Sequence, residues 1–408
     1  MPAGVVFVHN NFPAQFADLA SALMARGVPV AAIGSATAPG VTGLKLGRYG
    51  LTRGTTEGIF PLAVRAEADL LRGASAVRMA QQLKETGVDP LVIVGHPGWG
   101  ETVFLREVWP GAKFVAFSEF YYRGRGLDVG FDTEFGAPTE ATVLRAEAKN
   151  AVMTMALAQA DAIVAPTEFQ ASVLPPVFRP LTRVIHEGVD TEAIRPRPPE
   201  PFELAEGRMI WPGATVITYV NNNMEPLRGL HIFARALPRL MAEVPEAQVL
   251  MFGHDNPRPY GGQAAEGKTW RQVAFEGLKI DPARLHVMGR TDHATMLAGL
   301  RHSTAHVYYT YPFVLSWSLI EAMASGCYVI GSDTPPLRDA IEDGVNGRLL
   351  PFFDVEALSQ AMIDACRDPG ASAPLRAAAR ETAVSNFSTA KGREAWFALL
   401  RELGVELP

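Results

Sequence analysis

The sequence predicts an α/β protein of two similar units, each a mostly parallel, doubly wound sheet, facing one another across a cleft. Three observations predict it. Short apolar runs alternate with helical patterns along nearly the whole chain, the order that gives parallel strands joined by helical crossovers. A proline-rich stretch, residues 194–213 (IRPRPPEPFELAEGRMIWPG), interrupts the alternation, which then restarts. The length, 408 residues, suits two domains of ~100–200 residues each. The domains are drawn at 1–195 and 196–385, with a terminal segment at 386–408.

The elements follow in order. VVFVH is the first strand, AQFADLASALMARG a helix ending on Gly27, and VPVAAIG the next strand. LLRGASAVRMAQQLKETG carries apolar residues at helical spacing. LVIVG and AKFVAFSEF are strands, separated by the loop HPGWGE. Residues 141–160 (ATVLRAEAKNAVMTMALAQA) read as one long Ala-rich helix before the strand DAIVAPT. EFQASVLPPVF is a short helix stopped by Pro175 and Pro176, and TRVIHEGVDT follows as strand and loop. Past the proline-rich stretch come the strand ATVITYV, the helix GLHIFARALPRLMAEVP, the strand AQVLMFG, a Gly/Pro-rich loop, the strand RLHVMGR and the helix HATMLAGLRHS. Then HVYYTY is a strand, SWSLIEAMASG a helix stopped by Gly326, CYVIGSD a strand, and LRDAIEDG a second short helix closed by Gly344. Two more helices are expected near 355–367 and 389–403.

Composition narrows the classes. Hydrophobic content of 48% and charged content of 20% are ordinary for a soluble globular protein. A net charge of −6 gives no global pull toward nucleic acid or anionic lipid. The two cysteines, Cys327 and Cys366, fall on an expected core strand and helix; without metal spacing they read as buried thiols of a reducing compartment. The opening MPAGVVFVHNNFPAQF lacks the basic start and apolar core of a signal peptide, and no run reaches the ~20 apolar residues of a membrane helix. HExxH, paired CxxC, G-x-S-x-G and P-loop patterns are absent, and no G-x-G-x-x-G follows the first strand. A cytoplasmic protein is expected.

In open parallel sheets, ligands bind outside the carboxyl ends of the strands. A helix starting there aims unpaired N–H groups at the ligand and suits phosphate. Residues 216–233 (VITYVNNNMEPLRGLHIF) form one such corner, where the Arg228 fork suits phosphate; Glu225 reads as charge complementing a helix start. Ser316–Glu321 form another. Ser318-x-x-Glu321 has capping-box spacing, so spacing alone reads Glu321 as a cap. In HPGWGE, glycines on either side of Trp99 allow close backbone approach, and Glu101 reads as a helix-start carboxylate. The loop 118–135 mixes Glu119, Tyr121, Tyr122, Arg123, Arg125, Asp128, Asp132 and Glu134, a set that suits either a polyhydroxylated acceptor or an ordered surface loop.

Residues 315–351 (LSWSLIEAMASGCYVIGSDTPPLRDAIEDGVNGRLLP) resemble the donor-sugar domain of retaining GT-B glycosyltransferases of family 4. That family ends its nucleotide-sugar site with a Glu-x7-Glu motif, an EAMA-x-G helix and a DGxNGxL turn. Glu321 matches the second glutamate, which in the family holds the donor ribose; Glu342, Gly344, Asn346 and Gly347 match the turn. Phe313 stands in place of the first glutamate, and Leu315-Ser316 replace the family's Phe-Gly step. The YPFVLSWS variant is similar to a distinct bacterial branch.

The resemblance implies a GT-B fold of two Rossmann-like domains, the first for acceptor and the second for donor, with the last helix crossing back onto the first. It implies donor contacts from Asn222, Asn223, Arg228, Gly253, His254, Arg290, Thr291, Leu315, Ser316, Trp317 and Glu321. Asn221–Asn223 replace a family loop arginine. It implies acceptor contacts from His9, Asn10, Asn11, Trp99, Glu119, Tyr121, Tyr122 and Arg123. His96 looks like the cleft histidine beside the transferred sugar, and His96, Arg228 and Glu321 form the expected catalytic set. His186–Asp190 match the turn before the hinge.

The implied activity is transfer of a sugar from a nucleotide-diphosphate sugar, UDP- or GDP-linked, to a glycan, lipid-linked, protein or small-molecule acceptor in bacterial glycan synthesis. Retention of configuration and metal independence are implied, with no cofactor beyond the nucleotide-sugar co-substrate. Neither nucleic acid nor a membrane span is expected, although lipid-linked acceptors leave room for peripheral contact with the inner face of the membrane. An epimerase or phosphorylase of the same fold, or a non-catalytic nucleotide-sugar binder, are the alternatives.

Overall fold

A computed structural model describes residues 4–264 and 267–407; the first three residues of the expected opening strand segment lie outside them. The chain forms two compact units, one running up to Gly188 and resuming at Thr389, the other spanning Val189–Ser388.

In the first unit the strands are β1 (Val5–Val8), β2 (Val30–Ser35), β3 (Lys45–Tyr49), β4 (Val92–Gly95), β5 (Lys113–Phe117), β6 (Ala162–Ala165) and β7 (Thr182–Val184). They form one parallel sheet in the order β3-β2-β1-β4-β5-β6-β7. The central strands are apolar throughout because both faces are covered. One face packs Phe7, Phe16, Leu23 and Phe117 with Trp396 and Leu400 of the helix Thr389–Glu402. The other packs Ile93 and Phe114 against Ala76, Ala80, Met153 and Leu157. Arg393 grips both oxygens of Asp18 at 2.9 and 2.6 Å, fixing the last helix to the first.

Two expectations fail here. Strand β3 escaped notice because KLGRY is an edge strand with a broken apolar pattern, Lys45 and Arg48 being exposed. The long helix expected at 141–160 is two, Glu140–Ala148 and Ala151–Leu157. Between them Asn150 turns its side chain onto the backbone of Tyr122, accepting from its N–H at 3.0 Å and donating to its carbonyl at 2.8 Å. Asparagine competes in this way with helical hydrogen bonding.

In the second unit the proline-rich stretch holds a small antiparallel pair, β8 (Phe202–Glu203) and β9 (Met209–Ile210), and so is more than a linker. The main sheet has β10 (Val216–Asn223), β11 (Gln248–His254), β12 (Leu285–Gly289), β13 (Ala305–Tyr308), β14 (Val329–Ser332) and β15 (Arg348–Leu350), all parallel, in the order β12-β11-β10-β13-β14-β15. The expected helix LRDAIEDG covers only Pro335–Arg338. Asn346 ends it early, accepting from the Glu342 N–H at 2.8 Å and donating to the Ala340 carbonyl at 3.0 Å. An unforeseen helix, Ala373–Phe387, precedes the last one. Cys327 and Cys366 are free and buried, and burial pushes both thiols up to about 12.

Counted from its own first strand, each main sheet begins 3-2-1-4-5-6. The order reverses between β1 and β4, and again between β10 and β13. Ligands of doubly wound sheets sit beyond the carboxyl ends of such a pair of strands.

Candidate functional site

In the second unit the chain leaves β10 through the 3-10 turn Pro226–Arg228. Gly229 follows with φ 69° and opens the helix Leu230–Glu243. A β-carbon at 229 would stand 2.3 Å from Cβ of Tyr309, so only glycine lets this helix start approach the end of β13. Arg228 thereby reaches across the switch point. Its Nη1 donates to the Tyr308 hydroxyl (3.2 Å), Thr310 Oγ1 (2.9 Å) and the Val314 carbonyl (3.1 Å). All three partners are neutral, and the half-buried Arg228 forms no ion pair among the described residues, although its charge is felt by nearby Glu225. The Tyr308 hydroxyl also accepts from the Ser316 N–H at 2.9 Å, tying the arginine to the next helix start.

Phe313, where the family pattern has its first glutamate, lies beneath the guanidinium at 5.7 Å and stacks on Tyr260 with ring centroids 4.4 Å apart. The expected role of Glu225 is corrected. Its carboxylate does not complement a helix start but accepts from the Gly261 N–H at 2.6 Å, strapping down the Gly/Pro-rich loop. Burial raises its carboxyl above the usual range.

The helix Trp317–Ala324 begins at Ser316, whose Oγ accepts from the Ser318 N–H at 3.3 Å. This overturns the capping-box reading of Ser318 and Glu321, because the cap lies two residues earlier and Glu321 is past the first turn. Glu321 Oε1 instead lies 2.7 Å from Nε2 of His293, the first residue of the helix His293–Arg301. Nothing in the sequence marked His293, since a histidine opening a helix is an ordinary surface residue.

The remaining donor-side candidates spread along the same edge. Asn222 is exposed, while Asn223 is half-buried and pairs with His254 across a β-bulge. His254 and Arg290 are exposed, and Thr291 and Leu315 half-buried. Gly253 takes φ 152°, where a side chain would meet the Asn221 carbonyl at 2.5 Å. Trp317, 42% exposed, is not a core residue.

In the first unit, His9 directly follows β1 and His96 directly follows β4, so both stand at the switch point. Their rings meet edge to face, 5.3 Å apart. Nδ1 of His9 accepts from the Asn11 N–H (2.9 Å) and Nδ1 of His96 from the Gly98 N–H (3.1 Å). In the neutral imidazoles this leaves the proton on Nε2. Nε2 of His96 faces Glu119 Oε2 at 3.5 Å. Burial, then repulsion from His96, hold His9 down to about 3 despite the Glu119 charge. For Glu119, desolvation acts to raise the carboxyl, but its side chain stays 40% exposed. The imidazoles and Gln15 prevail and hold it below its usual range.

Trp99 borders the pair, its ring 6.2 Å from His96 and covered by the Arg65 guanidinium at 5.2 Å. Arg65 also bonds Asp69 (2.8 Å) and the Gly98 carbonyl. Glu101 corrects another expectation. It is fully buried, begins no helix, and accepts from the Tyr49 hydroxyl at 2.5 Å; burial pushes its carboxyl up. Tyr49 also reaches Asn10 Oδ1 at 3.3 Å, and Asn11 is exposed. Tyr121, Tyr122 and Arg123 are engaged in packing. The Tyr121 hydroxyl meets Thr154 Oγ1 at 3.1 Å, Arg123 covers the Tyr121 ring and donates to the Val173 carbonyl at 3.2 Å, and Tyr122 is held by Asn150. Gln15 and Gln170, from two other elements, hold Glu119 and carried no sequence signal.

These two switch-point clusters belong to the GT-B fold. The chain superposes on sucrose-phosphate synthase from Thermosynechococcus elongatus with a TM-score of 0.71 at 19% identity, covering 98% of this chain and 99% of that one. It superposes on Anabaena HepE in complex with UDP-glucose with a TM-score of 0.64 at 14% identity, covering 98% and 99%. Residues 26–194 match the Glycosyl transferase family 4 group and residues 214–368 match the Glycosyl transferases group 1. Among curated proteins, the phosphatidyl-myo-inositol mannosyltransferase of Mycolicibacterium smegmatis is 29% identical over 163 residues, 38% of this chain and 37% of that protein. The D-inositol 3-phosphate glycosyltransferase of Streptomyces avermitilis is 27% identical over 239 residues, 57% and 50%. The chain thus aligns with half or less of the length of these relatives. Among the described residues, no helix is long and apolar enough to cross a membrane.

Proposed function

We propose that this protein is a glycosyltransferase that moves a sugar from a nucleotide-diphosphate sugar, bound by the second unit, to an acceptor recognised by the first. The observation that carries the reading is Arg228: a guanidinium at a topological switch point, oriented by three neutral oxygens and paired with no carboxylate among the described residues. Such a charge suits a diphosphate, and it suits the departing diphosphate better still, because negative charge grows there as the sugar–phosphate bond breaks. The helix start at Ser316, linked to Arg228 through Tyr308, adds the positive end of its dipole on the same side. Glu321, oriented by His293, takes the ribose hydroxyls. In the first unit His96, with its proton on Nε2, orients the transferred sugar or the acceptor by hydrogen bonding. Retention of configuration, and a UDP or GDP carrier, rest on likeness to the families and to UDP-bound structures.

The test is a thermal-shift screen of UDP-, GDP- and ADP-sugars, since a ligand of the folded state raises Tm by mass action. At least one nucleotide diphosphate should stabilise the wild type, with the matching nucleotide released in the presence of acceptor. A screen in which none shifts Tm refutes the reading.

A further inference from the structure

Arg228 rests on an aromatic ring at a place where a charged partner could stand. Its guanidinium lies 5.7 Å from the centre of the Phe313 ring, and the Val314 carbonyl, one residue further on, accepts from its Nη1 at 3.1 Å. Phe313 is buried and stacks on Tyr260 with ring centroids 4.4 Å apart. The two residues after Tyr260 are fastened in turn. The Gly261 N–H donates to Glu225 Oε2 at 2.6 Å, and the Gly262 carbonyl accepts from Trp270 Nε1 at 2.7 Å. Arg228, Phe313 and Tyr260 are thus held in series by a loop that is itself pinned.

A ring face attracts a cation through its quadrupole and brings no net charge. A glutamate differs in that respect. Its carboxyl carbon lies about as far from Cα as the centre of a phenylalanine ring does. A carboxylate at 313 would therefore stand within the ~4–6 Å over which opposite charges favour one another. It would compete with any anion approaching Arg228. Glu225, which feels the arginine, is engaged with Gly261, and burial raises its carboxyl. The family pattern has a glutamate at the position of Phe313 and an arginine at Asn221–Asn223, so this chain lacks one charge of each sign. Restoring the glutamate alone would leave Arg228 answering an internal anion.

Resting on the donor reading above, we propose that Phe313, supported by Tyr260, is a positioning residue: it holds the Arg228 guanidinium by its ring face and keeps a carboxylate away from it, leaving the charge to the donor diphosphate. The glutamate usual at this position would act here as a rival of the ligand. Phe313 works through Arg228 and needs no contact with the donor.

The experiment uses the full chain and whichever of UDP, GDP and ADP raises its Tm most. Isothermal titration gives the affinity of that diphosphate and of its free nucleoside for each variant. Phe313→Glu and Phe313→Gln introduce side chains of one shape that differ by a charge. Phe313→Glu should bind the diphosphate at least tenfold more weakly than Phe313→Gln, with nucleoside affinities alike. Phe313→Leu stays apolar but removes the ring face, and should lose about two- to fivefold in diphosphate affinity. Phe313→Tyr restores the ring and should bind within about twofold of the wild type. Tyr260→Leu leaves Phe313 in place, should cost about twofold, and decides the matter if the variants at 313 fold poorly.

Equal diphosphate affinities in Phe313→Glu and Phe313→Gln, or a Phe313→Leu that binds as tightly as Phe313→Tyr, would overturn the assignment while the wild-type nucleotide shift stands. Where Tyr260→Leu alone folds, an unchanged diphosphate affinity overturns it. Absence of any nucleotide shift in the wild type would instead defeat the donor reading, and this inference with it.

Discussion

Glu321 Oε1 and His293 Nε2 stand 2.7 Å apart, the glutamate nearly buried with its side chain 12% exposed and the histidine open to solvent at 58%. The contact joins the second turn of one helix to the start of another and leaves Glu321 free of any capping duty. A carboxylate already oriented, with its second oxygen unclaimed among the described residues, is suited to a diol. Glu321→Ala should weaken nucleoside-diphosphate binding about 10–100-fold, the value of losing hydrogen bonds to a charged group at about 1.5–3 kcal/mol. His293→Ala should weaken it less. Isothermal titration decides, and equal affinities for all three proteins would remove Glu321 from the site.

Arg228 should matter for the diphosphate and not for the base. Arg228→Ala is expected to lower affinity for nucleoside diphosphates by at least tenfold while leaving the much weaker binding of the free nucleoside unchanged. Arg228→Lys should fall between, because an ammonium cannot reproduce the planar fork. A parallel loss of nucleoside and diphosphate binding would mark a folding defect, to be checked against Tm.

Gly229 tests the geometry that delivers Arg228. An alanine there faces a left-handed backbone, about 1–2 kcal/mol against it, and a contact at 2.3 Å with Tyr309. At about 2–4 °C per kcal/mol, the backbone cost alone should lower Tm by roughly 2–8 °C, and the contact adds to it. An unchanged Tm would show that this helix start has room to move.

Stability should decline in mild acid. His306 is fully buried with Nδ1 2.9 Å from Thr218 Oγ1, and burial holds it down to about 3; His9 behaves likewise in the other unit. The unfolded chain takes up these protons below about 6.5 and the folded chain does not. Their contribution is therefore complete above pH 6.5 and is lost as pH falls from there toward 3, by up to about 1.4 kcal/mol per pH unit for each histidine. His306→Asn, which keeps a partner for Thr218, should flatten the pH dependence of urea unfolding between pH 6 and 4 by up to one proton's worth. The same slope in variant and wild type would contradict this.

Apolar strands and their alternation with helices were legible because parallel strands covered on both faces are written as plain runs of Val, Ile, Ala and Phe. The positions of His9 and His96 just past strand ends, and of Arg228 just before a helix start, could be read the same way. What sequence hid was held by single side chains acting at a distance. Asn150 splits a helix by bonding to Tyr122, 28 residues away. Glu225 fastens Gly261. His293 takes Glu321 out of an apparent capping box. Spacing along the chain reports on neighbours within a turn or two. Gln15, Gln170 and Glu119 come together only through the sheet, and no local pattern could have announced them.

The helix Thr389–Glu402 inserts Trp396, Phe397, Leu399 and Leu400 into the core beneath β1, β4 and β5. A ribosome therefore releases the whole of Val189–Ser388 before it can supply those side chains. The half begun first is completed last, its apolar face waiting uncovered through some two hundred codons. Premature stop codons ahead of Trp396 should accordingly cripple the opposite end of the polypeptide, and a fragment cut at Gly188 should be aggregation-prone unless the final helix is supplied in trans.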